Sequence, residues 1–209
     1  MFKRMVSWLG RRGTARLLAA LSRPEGDRAA RELLSRGPEV VPALLGAYAG
    51  DTTRAARSHI SRILTGMGVA ALPELIRALA ARVVEVRLLA IETIWQLGDE
   101  AEAAVPALVQ ALGDEHPEVR ELLLEALWDL PVPAVRPATP RLMEVLAHGC
   151  ERNRRLAAEL LGRLGAVEAL PALEQAASTH SGESARAARA AALGLQREGS
   201  PPVPVTQAA

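Results

Sequence analysis

The chain has 209 residues, a formal net charge of +1, 2% aromatic residues and one cysteine. The near-neutral charge argues against a protein that coats nucleic acid or a membrane over its whole surface, and the lone cysteine excludes an intrachain disulfide. Since no segment approaches the ~18 consecutive apolar residues of a membrane span and none resembles a secretory signal, we expect a cytoplasmic protein of a single domain.

Residues 1–12 form a basic, amphipathic segment without an acidic side chain. Its candidate contact residues are Lys3, Arg4, Trp8, Arg11 and Arg12. Such a segment could bind an anionic membrane or an acidic partner, or its apolar side could cap the first repeat. We favour the cap, and a transit peptide is less attractive because repeat-like helices follow at once.

Residues 13–37 predict a divergent capping repeat. Its two helices are expected near 13–22 and 26–36, with a break at Arg23-Pro24-Glu25-Gly26. The repeat array proper is predicted to occupy residues 38–197.

Five prolines mark this array and stand 31, 33, 34 and 31 residues apart; this proline ladder consists of Pro42, Pro73, Pro106, Pro140 and Pro171. Each is followed two residues later by a leucine. A fixed period of about 30 residues is typical of a solenoid, whose units bury their apolar faces by stacking. Proline suits the first turn of a helix, so each ladder proline predicts the start of a first helix.

An arginine recurs 14 or 15 residues after each ladder proline, at Arg57, Arg87, Arg120, Arg154 and Arg186. It predicts the opening of a second helix, so that each unit is a helical hairpin. The arginine itself is expected to pair with an acidic turn or with carbonyls of the neighbouring unit. Gly98 and Gly165 stand where the chain leaves a helix in the left-handed conformation.

Two proline-rich segments interrupt the helical pattern. Residues 131–140 predict a stiff, extended loop between units, because proline fixes its own φ angle. Residues 198–209 lack apolar periodicity and predict a disordered tail.

The pattern A-x-P-x-L, an acidic turn, then V-R-x-x-A-x-x-A-L-x-x-L-G is clearest in residues 72–98 and 104–131. It resembles HEAT-like repeats, and most closely the short bacterial type first recognised in phycobilisome lyases. The resemblance implies an all-α, right-handed α-solenoid of about five to six helical hairpins, of the armadillo type. Members of this superfamily include scaffolds, chromophore lyases and a few enzymes, so function remains open.

We expect the second helices to line the concave side of the solenoid. Each of them is expected to bury one side in the core, and we call the opposite side the second-helix face. Three leucines and their acidic neighbours fall on this face: Leu89, Leu122, Leu156, Glu92, Glu125 and Glu159. Together they would suit a basic or amphipathic peptide. The alternative, which we favour, is that the leucines touch neighbouring helices.

Trp95 and Trp128 occupy the same slot in successive repeats, at the edge of the second-helix face. Two indoles beside Glu92 and Asp129 could anchor a partner or a cationic group. The alternative, that they fill space between hairpins, is favoured because Trp is usually buried.

The histidines and the cysteine do not assemble a recognisable catalytic or metal site. His116, His148 and His180 are 32 residues apart and fall in or near successive turns, too far apart to share one ion. Cys150 lies near His148 and three arginines, but no third group orients it as a nucleophile. We call Glu92, Glu125, Asp129 and Glu159 the acidic row. Because these carboxylates would repel phosphates, a nucleic-acid partner is disfavoured.

The sequence therefore predicts a non-enzymatic scaffold or adaptor that binds a protein or peptide on the concave second-helix face. No catalytic residue, metal, cofactor or small-molecule substrate is predicted. The alternatives are an enzyme-accessory protein of the phycobilin-lyase kind, implied only by the resemblance, and a membrane-peripheral module anchored by residues 1–12.

Overall fold

The computed structural model describes residues 13–50 and 52–198, and every regular element in these ranges is a helix. The predicted all-α class is therefore confirmed. The chain divides into two compact units, Met1–Ala111 and Leu112–Ala209. The predicted tail and the basic segment 1–12 lie outside the described residues, apart from the tail's first residue, and the predicted repeat bounds stay predictions.

The first unit contains seven of the described helices, which alternate between the predicted first and second helices of each repeat. They are α1 at 13–20, α2 Gly26–Ser35, α3 Val41–Ala49, α4 Arg54–Gly66, α5 Leu72–Ala78, α6 Val84–Gln96 and α7 Val105–Ala111. The break predicted at Arg23-Pro24-Glu25-Gly26 separates α1 from α2.

The second unit continues the alternation and adds one short helix. Its described helices are α8 Pro117–Asp129, α9 Val132–Val135, α10 Thr139–His148, α11 Glu151–Arg163, α12 Leu170–Thr179 and α13 Gly182–Glu198. The second helices α4, α6, α8 and α11 all have 13 residues. This constant length confirms the register that the repeated arginine predicts.

Every ladder proline is the second residue of its helix, where its missing N–H removes no hydrogen bond. The leucine two residues later is completely buried in all five repeats: Leu44, Leu75, Leu108, Leu142 and Leu173 are each 0% exposed. The ladder thus places one apolar side chain per repeat in the core.

The segment 131–140 differs from its prediction. Instead of an extended loop it forms α9 and a 3₁₀ turn, Arg136–Ala138, which lead directly into α10. Pro133 and Pro137 occupy first-turn positions, where a proline φ angle is compatible with a helix. The prolines therefore restrict this segment to short helical turns instead of an extended loop.

The repeated arginine ties each second helix to the turn before it. Arg154 Nη1 donates to the carbonyl of Gly149 at 2.8 Å, and Arg120 Nη1 donates to that of Glu115 at 3.0 Å. Arg87 Nη1 donates in the same way to the carbonyl of Ala81 at 2.7 Å. In these three repeats the arginine does bind carbonyls, as expected. The carbonyls belong to its own hairpin, however, and not to the neighbouring repeat that the sequence predicts. The glycines Gly98 and Gly165 have the predicted positive φ angles, 57° and 61°.

Small side chains allow the last two second helices to pack closely. Ala157, Ala158 and Ala188 are fully buried, and a Cβ added at Gly162 would lie 3.0 Å from that of Ala191. A core with few aromatic residues can reach close packing only through such short distances between helices.

Candidate partner-binding surface

In the first unit, the predicted contact residues of α6 differ in their exposure to solvent. Leu89 is only 1% exposed, so for this residue the structure agrees with the favoured alternative, burial against neighbouring helices, and not with an open position. Glu92 is exposed, and Trp95 is half-buried. Val86, Leu89 and Thr93 of α6 are all buried. The buried side of this helix is therefore wider than the helical spacing of its apolar residues predicts.

In the second unit, the equivalent leucines of α8 and α11 are half-buried rather than open. Leu122 and Leu156 each expose part of their surface, while the next member of the row, Ala188, is fully buried. The leucine row is therefore an edge of the core. It adds apolar area to the second-helix face without forming an open apolar groove.

Trp128 is an exposed aromatic residue of α8, with 40% of its surface accessible. The guanidinium of Arg163 lies over its ring, 5.4 Å from the centroid, and Arg163 Nη2 also donates to the carbonyl of Leu130 at 3.1 Å. The cation beside the indole is therefore supplied by the chain itself, and it fixes the ring instead of leaving its face to an external cation.

Arginines neutralise much of the acidic row in the second unit. Arg152 of α11 contacts the carboxylates of Glu121 at 2.6 Å and Glu125 at 3.4 Å. Arg155 contacts Glu159 at 2.8 Å. Glu125 and Glu159 are thus parts of ion pairs, and the row does not present free carboxylates as the sequence analysis expects. Asp129 at the end of α8 is exposed.

The sequence analysis missed the arginines that complete this face. Arg152 and Arg155 are two of the three arginines that the sequence places near Cys150, and no partner is predicted for them. The available signal was their place in the repeat, since they hold the slots taken by Glu118 and Glu121 in the preceding second helix. Opposite charges at nearby positions of successive helices favour ion pairs between those helices, as Arg152 forms with Glu121.

A carboxylate that the sequence did not single out fixes the start of α13. Glu151 Oε1 accepts the backbone N–H of Ser184 at 2.9 Å, and its Oε2 accepts the Ser184 hydroxyl at 2.7 Å. These two hydrogen bonds, together with Arg154, lower the pKa of Glu151 to about 2. The carboxylate lies where a helix amino terminus attracts negative charge, so it joins α11 to α13.

The remaining sequence candidates lie at helix ends and turns. In ranges 13–50 and 52–198, no three His, Cys, Asp or Glu side chains come together as a metal-ligand set. His116 lies in the turn before α8, His148 ends α10 and His180 follows α12, as predicted. Cys150 is exposed at the residue before α11. None of the described helices is long and apolar enough to cross a membrane.

The predicted membrane or acidic-partner contacts lie outside the described residues. They are Lys3, Arg4, Trp8, Arg11 and Arg12. Their role stays a prediction.

Three solved structures are similar to the chain. An engineered protein from the Northeast Structural Genomics Consortium aligns with a TM-score of 0.55 and 19% identity, over 89% of this chain and 97% of that one. A designed armadillo repeat protein in complex with the peptide (KR)4 aligns with a TM-score of 0.55 and 20% identity, over 86% and 98%. The CpcE and CpcF complex of phycocyanin lyase from Nostoc sp. PCC7120 aligns with a TM-score of 0.35 and 21% identity, over 87% and 94%. The first two show the helical-repeat fold alone.

A sequence profile of the family described as HEAT repeats matches residues 72–138 and 105–194. A comparison with curated proteins found no significant match. The two profile matches together cover more than half of the chain, and they include four of the five helices whose starts the proline ladder marks. The chain therefore belongs to the HEAT-repeat family.

Proposed function

We propose that this protein is a scaffold or adaptor that binds a partner protein or peptide on the second-helix face of its second unit. The observation that carries the proposal is the exposed indole of Trp128 on α8. Tryptophan is enriched among the residues that dominate binding energy, because it contributes a large, rigid apolar surface.

The surroundings of Trp128 suit an amphipathic partner. The half-buried Leu122 lies six residues earlier on the same helix and contributes a second, partly exposed apolar side chain. Ion-paired carboxylates and arginines border it, and such polar rims contribute selectivity more than affinity. Because Arg152 and Arg155 neutralise part of the acidic row, we propose an apolar side chain of the partner against Trp128, with polar contacts around it.

The comparisons support this proposal at the level of fold. The HEAT-repeat fold is typical of proteins that bind other proteins, and the similar designed armadillo repeat protein was solved with a bound peptide. The preference of our protein for a basic or amphipathic partner, and the concave geometry of the face, stay predictions. So do the enzyme-accessory and membrane-peripheral alternatives.

The test is a peptide selection that requires the indole. A displayed peptide library is panned against the full chain and counter-selected against Trp128→Ala, and enriched peptides are titrated by fluorescence anisotropy. We expect Trp128→Ala to raise Kd at least about tenfold, since burial of such an anchor is worth ~1.4 kcal/mol or more. Val167→Ala is the matched control, because Val167 is an exposed apolar residue that lies outside the second helices of the repeats.

Peptides that bind the wild type and Trp128→Ala equally well would place the binding surface elsewhere. Circular dichroism and thermal unfolding of both variants check that the array is intact. A loss of binding in Val167→Ala of the same size would also contradict the proposal.

A further inference from the structure

The net charge of +1 conceals a strong charge asymmetry along the chain. Residues 1–62 contain 12 basic and 5 acidic side chains, a difference of +7, whereas residues 63–209 contain 13 basic and 19 acidic ones, a difference of −6. Residues 1–12, outside the described residues, contribute four of these basic side chains, and residues 13–62 contain 8 basic and 5 acidic ones, a difference of +3.

A groove of about 550 Å³ lies between α1 and α2. Leu17, Ala20 and Ala29 contribute small or apolar side chains to it. Its polar side chains are four arginines and two glutamates, Arg16, Arg23, Arg28, Arg36, Glu25 and Glu32. The groove thus combines an apolar lining with an excess of positive charge.

Three of these arginines are available to a partner. Arg36 is engaged, because it donates to Thr14 Oγ1 at 2.9 Å and to Glu32 Oε1 at 3.1 Å. Arg16, Arg23 and Arg28 are exposed, and within the described part of the chain they form no ion pair or side-chain hydrogen bond. A guanidinium can bind a carboxylate through two parallel hydrogen bonds.

We propose that this groove binds an acidic segment of a partner protein, with carboxylates on Arg16, Arg23 and Arg28 and small apolar side chains against Leu17, Ala20 and Ala29. This interaction is separate from the Trp128 surface. It gives the scaffold a second docking site with the opposite charge preference.

The lining favours a peptide over the other polyanions. Glu25 and Glu32 would repel the continuous row of phosphates in a nucleic acid, whereas a peptide can place uncharged side chains beside them. Among the described residues that line the groove, none is an exposed large apolar side chain, which insertion into a membrane surface would require. An extended peptide that alternates acidic and small apolar residues matches both the arginines and the lining.

The test uses the full chain and a fluorescein-labelled peptide of alternating Glu and Ala residues, titrated by fluorescence anisotropy. The groove variant is Arg16→Glu/Arg23→Glu/Arg28→Glu. The matched control, Arg54→Glu/Arg82→Glu/Arg197→Glu, changes the net charge equally at three exposed arginines that lie outside the groove. We expect Kd to rise at least about tenfold in the groove variant and to change less than about threefold in the control.

Several results would overturn the proposal: no binding to the wild type, an equal loss in both variants, or tighter groove-dependent binding of single-stranded DNA or anionic vesicles. If the groove variant unfolds, Arg16→Gln/Arg23→Gln/Arg28→Gln replaces it, with the same expected loss. Trp128→Ala should leave this peptide's Kd unchanged, so failure here and failure of the proposed function are distinguishable.

Discussion

Gly182 and Glu151 meet at the amino terminus of α13, and neither can change without affecting the other. Gly182 has a φ of 77°, and a Cβ added there would lie 2.8 Å from Glu151 Oε1. A side chain would therefore be strained in its backbone and would also displace the carboxylate that binds Ser184. Glycine is required at this position for both reasons.

Substitution of this glycine gives the first prediction. We expect Gly182→Ala to lower the free energy of unfolding by about 1–3 kcal/mol, because of the strained φ and the close carboxylate. Gly194→Ala is the matched control within the same helix, where an added Cβ meets no atom within 4 Å. It should be stabilising by about 0.5–1 kcal/mol, since alanine favours a helix. Urea unfolding measures both; equal effects of the two changes would contradict the structure.

The lowered pKa of Glu151 gives the second prediction. A carboxylate whose folded pKa is about 2, against a usual 4.5, stabilises the fold fully above about pH 4.5 and loses that contribution as the pH falls towards 2. Its side chain is 49% exposed, so solvent screens the interaction and the effect is modest.

The comparison of wild type with Glu151→Gln isolates this carboxylate from the others that titrate. We expect the urea midpoint of the wild type to exceed that of Glu151→Gln at pH 7. The difference should narrow steadily between pH 4.5 and pH 2. A difference that stays constant over this range would show that ionisation of Glu151 does not stabilise α13.

At the scale of helices, the proline ladder predicts most of what the structure contains. Each ladder proline sets the start of a first helix, and each following leucine is buried, because a fixed helical start also fixes which side chains face inward. The exception is the segment 131–140. There, several closely spaced prolines predict extended backbone, whereas in the structure Pro133, Pro137 and Pro140 each occupy the first turn of a helix.

The third prediction concerns the ladder leucines. Leu142→Ala should lower the free energy of unfolding by about 2–5 kcal/mol, because Leu142 is 0% exposed and its removal leaves a cavity. Leu193→Ala is the control on an exposed helical leucine, at 49% exposure. It should change stability by less than about 0.5 kcal/mol. Similar losses at both positions would mean that the burial pattern is wrong.

At the scale of the whole molecule, the two compact units each carry part of the repeat array. In repeat proteins, stability is approximately the sum of individual repeats and the interfaces between neighbours. Leu75 and Leu173 occupy equivalent buried positions in the first and second units, so they serve as independent probes.

The fourth prediction is that these two sites act additively. The loss of unfolding free energy in the double variant Leu75→Ala/Leu173→Ala should equal the sum of the single losses within about 0.5 kcal/mol. Denaturant unfolding, followed by circular dichroism, provides all three values. A coupling above about 1 kcal/mol would contradict this and would indicate an energetic interaction between the two repeats over long range.

The sequence by itself determined the period, the helical hairpins, the starts of the first helices and one buried leucine per repeat. These features follow from local physics, since proline and the helical spacing of apolar residues act within a few turns. The same local information projected Leu89 onto an open face, and it could not assign to Glu125 its partner on another helix, Arg152.

Only the tertiary structure decided which of those side chains remain open. Glu151 and Ser184 meet across 33 residues, and Arg152 and Glu125 meet across 27. A repeat brings such positions near one another, but the packing of neighbouring helices selects the contacts. That packing buried Leu89, paired Glu121 and Glu125 of α8 with Arg152 of α11, and left Trp128 exposed. It also placed three exposed arginines along a groove in the first unit, where they form no ion pair with any other described residue.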